Sequence, residues 1–356
     1  MLSVKIRTIQ LIMLLMSIMA CSCIGTAEQS PVIKLGESKK TVQFCDIVDS
    51  VSLTVLTEDS TCIVGEIKKV EETISNYFVM NQQKTAIAKF DKNGAFVESL
   101  HKVGRSKDEY IGINDFSVDE QNNMIVLLCD YTKLHVYDLS FKLKQAFNLS
   151  VPLERICAYK SKIFGYSAID NKIVCMSNGE FKDVVKGEKP KSWIYSQTQV
   201  FFKTDGLLLA SLECDTIIYR IDNNGVSRHI SFLYDGYEDI IDQYRESDVE
   251  SSNGLVVNTP VRIRNVHSNE NFLNVIYAKD MVVRCALIDL IDQKIISDGI
   301  FIGSPSPEWN GRCNEMIAGE FANGIDLPID SAYMNKITTP HDKSIFGSVI
   351  VKYHLK

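Results

Sequence analysis

From about residue 41 onward the apolar residues come in runs of four to eight, often alternating with polar ones, and Asp, Asn and Gly separate the runs. Alternation with a period of two puts successive side chains on opposite faces of a strand, whereas a helix repeats every 3.6 residues. The chain therefore reads as strands. Asp91-Lys92-Asn93-Gly94 and Asp222-Asn223-Asn224-Gly225 each supply an Asp that hydrogen-bonds its own backbone and a Gly or Asn that tolerates positive φ. Each predicts a hairpin.

Aligned, the hairpins form a repeat. IAKFDKNGAFVESL around Asp91, LHVYDLSFKLKQAF around Asp138, KIVCMSNGEFKDVV around Ser177, IIYRIDNNGVSRHI around Asp222 and RCALIDLIDQKIIS around Asp289 share an apolar strand, a turn and a second strand. Their turns lie 47, 39, 45 and 67 residues apart. Strand repeats of roughly 40–50 residues are the period of propeller blades, and the longer last spacing reads as an insertion. Five units are expected, at 62–100, 111–149, 152–186, 197–232 and 262–302. A sixth would combine the last strands, ending in SVIVKYHLK, with an early strand pair around Val42 to Leu56, closing a ring and removing free strand edges. The expected fold is all-β, a six-bladed β-propeller whose termini join in one closing blade. A β-sandwich or a two-domain β protein is the alternative. Within the insertion, Tyr234 to Pro260, Ile240, Ile241 and Tyr244 share one side of a helical turn pattern and predict a short helix.

The N-terminus follows a different rule. Lys5 and Arg7 precede an almost unbroken apolar run from Ile9 to Ala20, the order of a secretory signal. The run is shorter than the roughly 20 apolar residues a spanning helix needs. Ile18-Met19-Ala20-Cys21 resembles the lipobox of bacterial lipoproteins, which implies lipidation at Cys21, with Cys23 as the alternative and an incidental cysteine as the bland reading. More than one acyl chain is what stable anchoring requires. The organisation expected is a signal peptide over 1–20, a lipid-anchored linker over 21–40 and one propeller domain over 41–356. Export is expected, and an outer-membrane lipoprotein is the location implied by the lipoprotein resemblance, with the periplasmic and surface sides both open.

Losing residues 1–20 removes Lys5 and Arg7 and takes the formal net charge from −7 to −9. Such an acidic protein is a poor match for nucleic acid. The Lys-rich stretch FKDVVKGEKPKS interleaves acids, lacks stacking aromatics and reads as a solvated face. The ten cysteines show no CxxC. Cys129, Cys175 and Cys285 sit in apolar strand runs, where a free thiol behaves as a small hydrophobe. Cys45 and Cys62 are the pair to check for an isolated bridge.

At residues 103–138, VGRSKDEYIGINDFSVDEQNNMIVLLCDYTKLHVYD resembles the six-bladed β-propeller lipoproteins of Gram-negative bacteria, distantly similar to NHL-type propellers. Gly104, Glu109, Tyr110, Asp115, Phe116, Tyr137 and Asp138 carry the match. Where that family has further glycines and a proline, this chain has Arg105-Ser106-Lys107-Asp108, exchanging backbone freedom for side chains. The resemblance implies fold and location more than mechanism.

Catalytic constellations are missing from the sequence: there is no HExxH, GxSxG, GxxxxGK[ST] or GxGxxG. The histidines, at 101, 135, 229, 267, 341 and 354, have no metal-ligand spacing. The acidic loops Asp119 to Asn123 and Asp235 to Asp239 do not follow the EF-hand pattern. No catalytic residue, metal or cofactor is expected. A binding module is, and its candidates are aromatics and arginines outside strands, the residue types that dominate interfaces. These are Trp309 and Arg312 in a Pro-rich loop, Tyr237, Tyr244 and Arg245 in the insertion, and Arg105 and Tyr110 between blades. The partner expected is a protein, peptide or glycan of the cell envelope. The alternatives are a lactonase-like or lyase-like propeller enzyme with a metal in its central channel, and a structural subunit of an envelope complex.

Overall fold

The hairpins of the sequence become separate antiparallel sheets in a computed structural model of the chain. It describes residues 30–43, 48–57, 64–188 except 66, 82 and 178, 199–234 except 205, 213, 214 and 224, 261–302 except 269, 270, 280 and 281, 316–321 and 347–355. Two three-residue strands, β1 (Val32–Lys34) and β2 (Thr41–Gln43), come first, followed by the eight-residue β3 (Val48–Val55). The first sheet is β4 (Ile67–Glu72), β5 (Asn76–Asn81), β6 (Ile87–Asp91) and β7 (Phe96–Leu100). The second is β8 (Ile113–Asp119), β9 (Met124–Cys129), β10 (Lys133–Tyr137) and β11 (Leu143–Asn148). The third is β12 (Arg155–Tyr159), β13 (Lys162–Ser167), β14 (Lys172–Ser177) and β15 (Glu180–Lys186). The fourth contains β16 (Phe201–Thr204), β17 (Leu207–Ala210), β18 (Ile217–Asp222) and β19 (Gly225–Leu233). The fifth contains β20 (Val261–Ser268), β21 (Phe272–Lys279), β22 (Val282–Asp289) and β23 (Lys294–Ile302). The sixth has β24 (Met316–Phe321), β25 (Gly347–Leu355) and β3.

The turns form by the chemistry read from the sequence. Asp91 Oδ1 accepts the amides of Asn93 and Ala95, both at 2.8 Å, and the Asp138 and Asp289 carboxylates each cap two amides of their own turns. Gly94 closes the first turn at φ +84°, and a side chain there would collide with the Val55 carbonyl of the closing sheet.

Adjacent sheets bury their faces against each other. In β9, Ile125, Leu127 and Cys129 join Phe78, Met80 and Phe116 on one side, while Val126 and Leu128 join Ile156, Ile163 and Val174 on the other. This is why MIVLLC is an unbroken apolar run: a strand covered on both faces has no solvent side to alternate with. The first strand of each sheet is innermost. β8 lies beside β12, β12 beside β16, β16 beside β20 and β24 beside β4, so the sheets succeed one another around a common axis. β25 pairs with β24 on one side and β3 on the other, joining the two ends of the chain in one sheet as expected.

Two expectations need correction. Val42 does not accompany Leu53 into the closing sheet: β2 runs parallel to β23, pairing Val42 with Phe301. β1 likewise adds parallel to β19, pairing Ile33 with Phe232. These strands cover outer edges whose amides and carbonyls would otherwise be unpaired. The segment read as linker therefore enters the fold by Pro31, whose carbonyl accepts the Ser231 amide, and Ile33 and Leu35 are buried. A buried cluster holds this strap: Asp298 accepts the Gly36 amide at 2.9 Å and the Tyr277 hydroxyl at 2.7 Å, and Arg284 bonds Tyr277 and the Ser38 carbonyl. The helix expected within 234–260 lies outside the described residues, among which the sole helical element is a single 3-10 turn at Glu120–Asn122. None of the helices described is long and apolar enough to cross a membrane. Cys129, Cys157 and Cys285 are buried free thiols and Cys175 is half-buried. Cys45 and Cys62 lie outside the described residues.

Candidate functional site

Inner strands of neighbouring sheets are not hydrogen-bonded as a ladder, so their facing amides need other partners. Alternate polar residues of β8 provide them. Asp115 accepts the Ile156 amide at 2.9 Å, Ser117 the Ala158 amide at 2.9 Å and Asp119 the Ser161 amide at 2.8 Å. The partners rise together along the two strands, so β8 and β12 run in the same direction. β4 does too: Lys69 reaches Asp115 and the Phe116 carbonyl, while Glu71 accepts the Val118 amide.

These strands enclose a cavity of about 250 Å³ in the channel, walled by β4, β8, β12 and the start of β16. Lys203 crosses it. Its ammonium lies 3.0 Å from Glu71, 2.9 Å from Ser117 Oγ and 2.8 Å from the Val118 carbonyl oxygen, tying the fourth sheet to the first and second. Lys69 stands 2.7 Å from Asp115 and 3.2 Å from Glu71. Burial alone would raise the Glu71 carboxyl, but Lys203, Lys69 and the Val118 amide outweigh it and hold it below its usual 4.5. Burial opposes the charge on Lys203 as well, and Glu71 more than restores it, so the ammonium is held above its usual range. Cys157, on the same wall, is pushed up to about 11 by burial. A thiol so far from ionising at neutral pH is no nucleophile.

A metal ion in this channel would meet two ammonium groups, and both carboxylates between them are already engaged. Among the described residues no three His, Cys, Asp or Glu side chains converge to hold a metal. The acidic loop after β8 is spent on structure: Glu120 caps the Ile74 and Ser75 amides at 2.6 and 3.1 Å. His135 is buried beside the Tyr137 hydroxyl, and His354 lies 3.0 Å from Ser52 Oγ.

A family model described as 6-bladed beta-propeller matches residues 24–299. The chain belongs to this family. A solved structure of a Bacteroides fragilis protein, described as exported, is similar to the propeller with a TM-score of 0.61 at 16% identity, covering 92% of this chain and all of that one. BamB from Moraxella catarrhalis is similar over 77% of this chain and 73% of its own, at 10% identity and a TM-score of 0.43. No curated protein matches the sequence.

Within the propeller the residues expected to bind a partner fare differently. Arg105 is exposed on the connection from β7 to β8. Tyr110, on the same connection, is fully buried: its hydroxyl donates to the Thr85 carbonyl at 3.0 Å and accepts the Lys102 amide at 3.2 Å. It pins the loop to the first blade and has no surface to offer. Beside it the Glu109 carboxylate caps the Ser106 amide at 2.8 Å and packs against Gly104, so a Cβ at 104 would displace that carboxylate from its present place. Cys21, Tyr237, Tyr244, Arg245, Trp309 and Arg312 lie outside the described residues. The channel residues Lys69, Glu71, Ser117, Arg155 and Lys203 are not among those the sequence pattern points to. Their signal was weak but present: charges in the first strand of a unit, as in IKKVEE, where the strands that follow are apolar.

Proposed function

We propose that this propeller is an exported lipoprotein of the outer membrane, anchored through acyl chains on Cys21, that binds a protein, peptide or glycan of the cell envelope on one end of its ring. The common direction of β4, β8 and β12 supports this reading most directly. With antiparallel strands in each blade, the connections β7–β8 and β11–β12 leave from the same end of the ring. Exposed Arg105 belongs to such a connection. In the sequence, Tyr237, Tyr244 and Arg245 follow β19 and Trp309 and Arg312 follow β23, the corresponding connections of the fourth and fifth sheets. Export draws on the charged and apolar order of residues 1–20 and on the likeness of fold to the Bacteroides fragilis protein.

An affinity pulldown from native membranes tests the binding face. Trp309→Ala with Arg312→Ala should lose the captured partner while the melting temperature stays within about 1 °C, since surface substitutions rarely exceed ~0.5 kcal/mol. A matching loss of folding would return both residues to a structural role. Cys21→Ser should release the protein from the membrane fraction, and its retention there would remove the lipid anchor.

A further inference from the structure

Arg155 stands apart from the other charges of the channel. It is the first residue of β12, half-buried, and lines the cavity of about 250 Å³. The remaining ionic groups are committed: Lys69 to Asp115 and Glu71, Lys203 to Glu71, and Glu72 to Lys92 and Lys352 at 2.7 Å each. The Arg155 guanidinium donates to the Glu154 carbonyl at 2.8 Å and has no carboxylate within ion-pair distance among the described residues. Its neighbour Glu154 turns its carboxylate to the Ala168 amide instead, at 2.6 Å. A guanidinium carries five N–H donors in a planar fork that matches an oxyanion in two-pronged fashion.

We propose that the channel contains an oxyanion-binding site in which Arg155 receives the carboxylate or phosphate of a small molecule. Arg155 begins its strand, so it lies on the inter-blade side of the Lys203 crossing, at the level of Asp115 and Lys69. A ligand entering from that end meets the guanidinium first, and the Lys203 bridge forms the floor. Ile156, Val200 and Phe201 supply apolar wall for the body of the molecule. The volume is below the ~300–1,000 Å³ of pockets for drug-sized ligands, which restricts the occupant to a small organic acid or a phosphate ester of similar size. The protein as a whole is acidic, with a net charge of −7, and repels anions at long range. Binding here is therefore short-ranged and depends on the geometry of the guanidinium. The site is independent of any partner on the exposed loops, and a failed pulldown leaves it standing.

The test is titration calorimetry and thermal shift on the full chain with acetate, succinate and inorganic phosphate at fixed ionic strength, using acetamide as the uncharged control. At least one anion should bind and raise the melting temperature, and acetamide should do neither. Preference between the carboxylates and phosphate identifies the source of the oxyanion. Arg155→Gln should weaken binding at least about tenfold, the equivalent of ~1.4 kcal/mol. Arg155→Lys, which keeps the charge without the fork, should weaken it by a smaller factor and keeps the proposal open to refutation if the Gln variant does not fold. Unchanged affinity in a folded Arg155 variant, or no anion binding by the native chain, overturns it.

Discussion

Replacing Glu71 by Gln tests the charge balance of the channel. The Glu71 carboxylate accepts the Val118 amide at 2.7 Å and lies 3.0 Å from Lys203 and 3.2 Å from Lys69, while Asp115 holds the other side of Lys69. Two cations and two anions cancel, and glutamine leaves one ammonium uncompensated. Breaking a fully buried pair costs ~3–5 kcal/mol. The Lys203 side chain retains 35% of its accessible surface, so solvent screening lowers this cost and about 2 kcal/mol is the expected loss. With an unfolding entropy of roughly 2.1 cal/mol/K per residue, a chain of 356 residues should lose about 3 °C of melting temperature. Urea and thermal unfolding followed by circular dichroism read this directly. Adding Lys203→Met restores neutrality, so the double variant should be more stable than the sum of the singles predicts, by ~1–2 kcal/mol. The effect also has a pH signature. Because the folded-state pKa of Glu71 is depressed, its stabilisation is complete above the usual 4.5 and disappears as pH falls through the lower folded value. The gap between native and variant should close in that window. A Glu71→Gln protein within 0.5 kcal/mol of the native one at pH 7, or strictly additive singles, would refute the reasoning.

Ile350 of β25 is buried against Tyr77, Val79 and Phe90 where the closing sheet meets the first blade, and Ile350→Ala should cost ~2–5 kcal/mol in urea unfolding, against almost nothing for half-exposed Ile296→Ala. Equal effects would mean that the closing sheet contributes little to stability. Tyr110→Phe removes the hydroxyl shared by Thr85 and Lys102 and should cost ~0.5–1.5 kcal/mol, with faster amide exchange along 101–112 as the specific readout. Burial raises the Glu154 carboxyl above its usual 4.5, outweighing the Ala168 amide and Arg155, so its protonated form stabilises below 4.5 and that contribution is lost as pH rises through the folded value. Glu154→Gln, neutral throughout, should therefore melt higher than the native chain at pH 7 and equally near pH 3; a lower melting temperature at pH 7 would contradict this.

Local chemistry made much of the fold legible. An Asp that caps its own turn, as at 91, 138 and 289, needs nothing beyond its next few residues, so the hairpins and their spacing followed from the sequence and the sheets appear at nearly the expected bounds. The closing sheet was legible for a related reason: a ring of sheets leaves no stable alternative for unpaired terminal strands. What distance along the chain cannot encode is which edge a three-residue strand will cover. β1 and β2 pair with β19 and β23, some 200 to 260 residues away, because those edges happen to lie beside the strap once the ring has closed. The channel was invisible for the same reason. Lys69, Glu71, Arg155 and Lys203 read as ordinary polar positions in strands, and only the arrangement of four inner strands about one axis removes them from bulk water and sets their charges against one another.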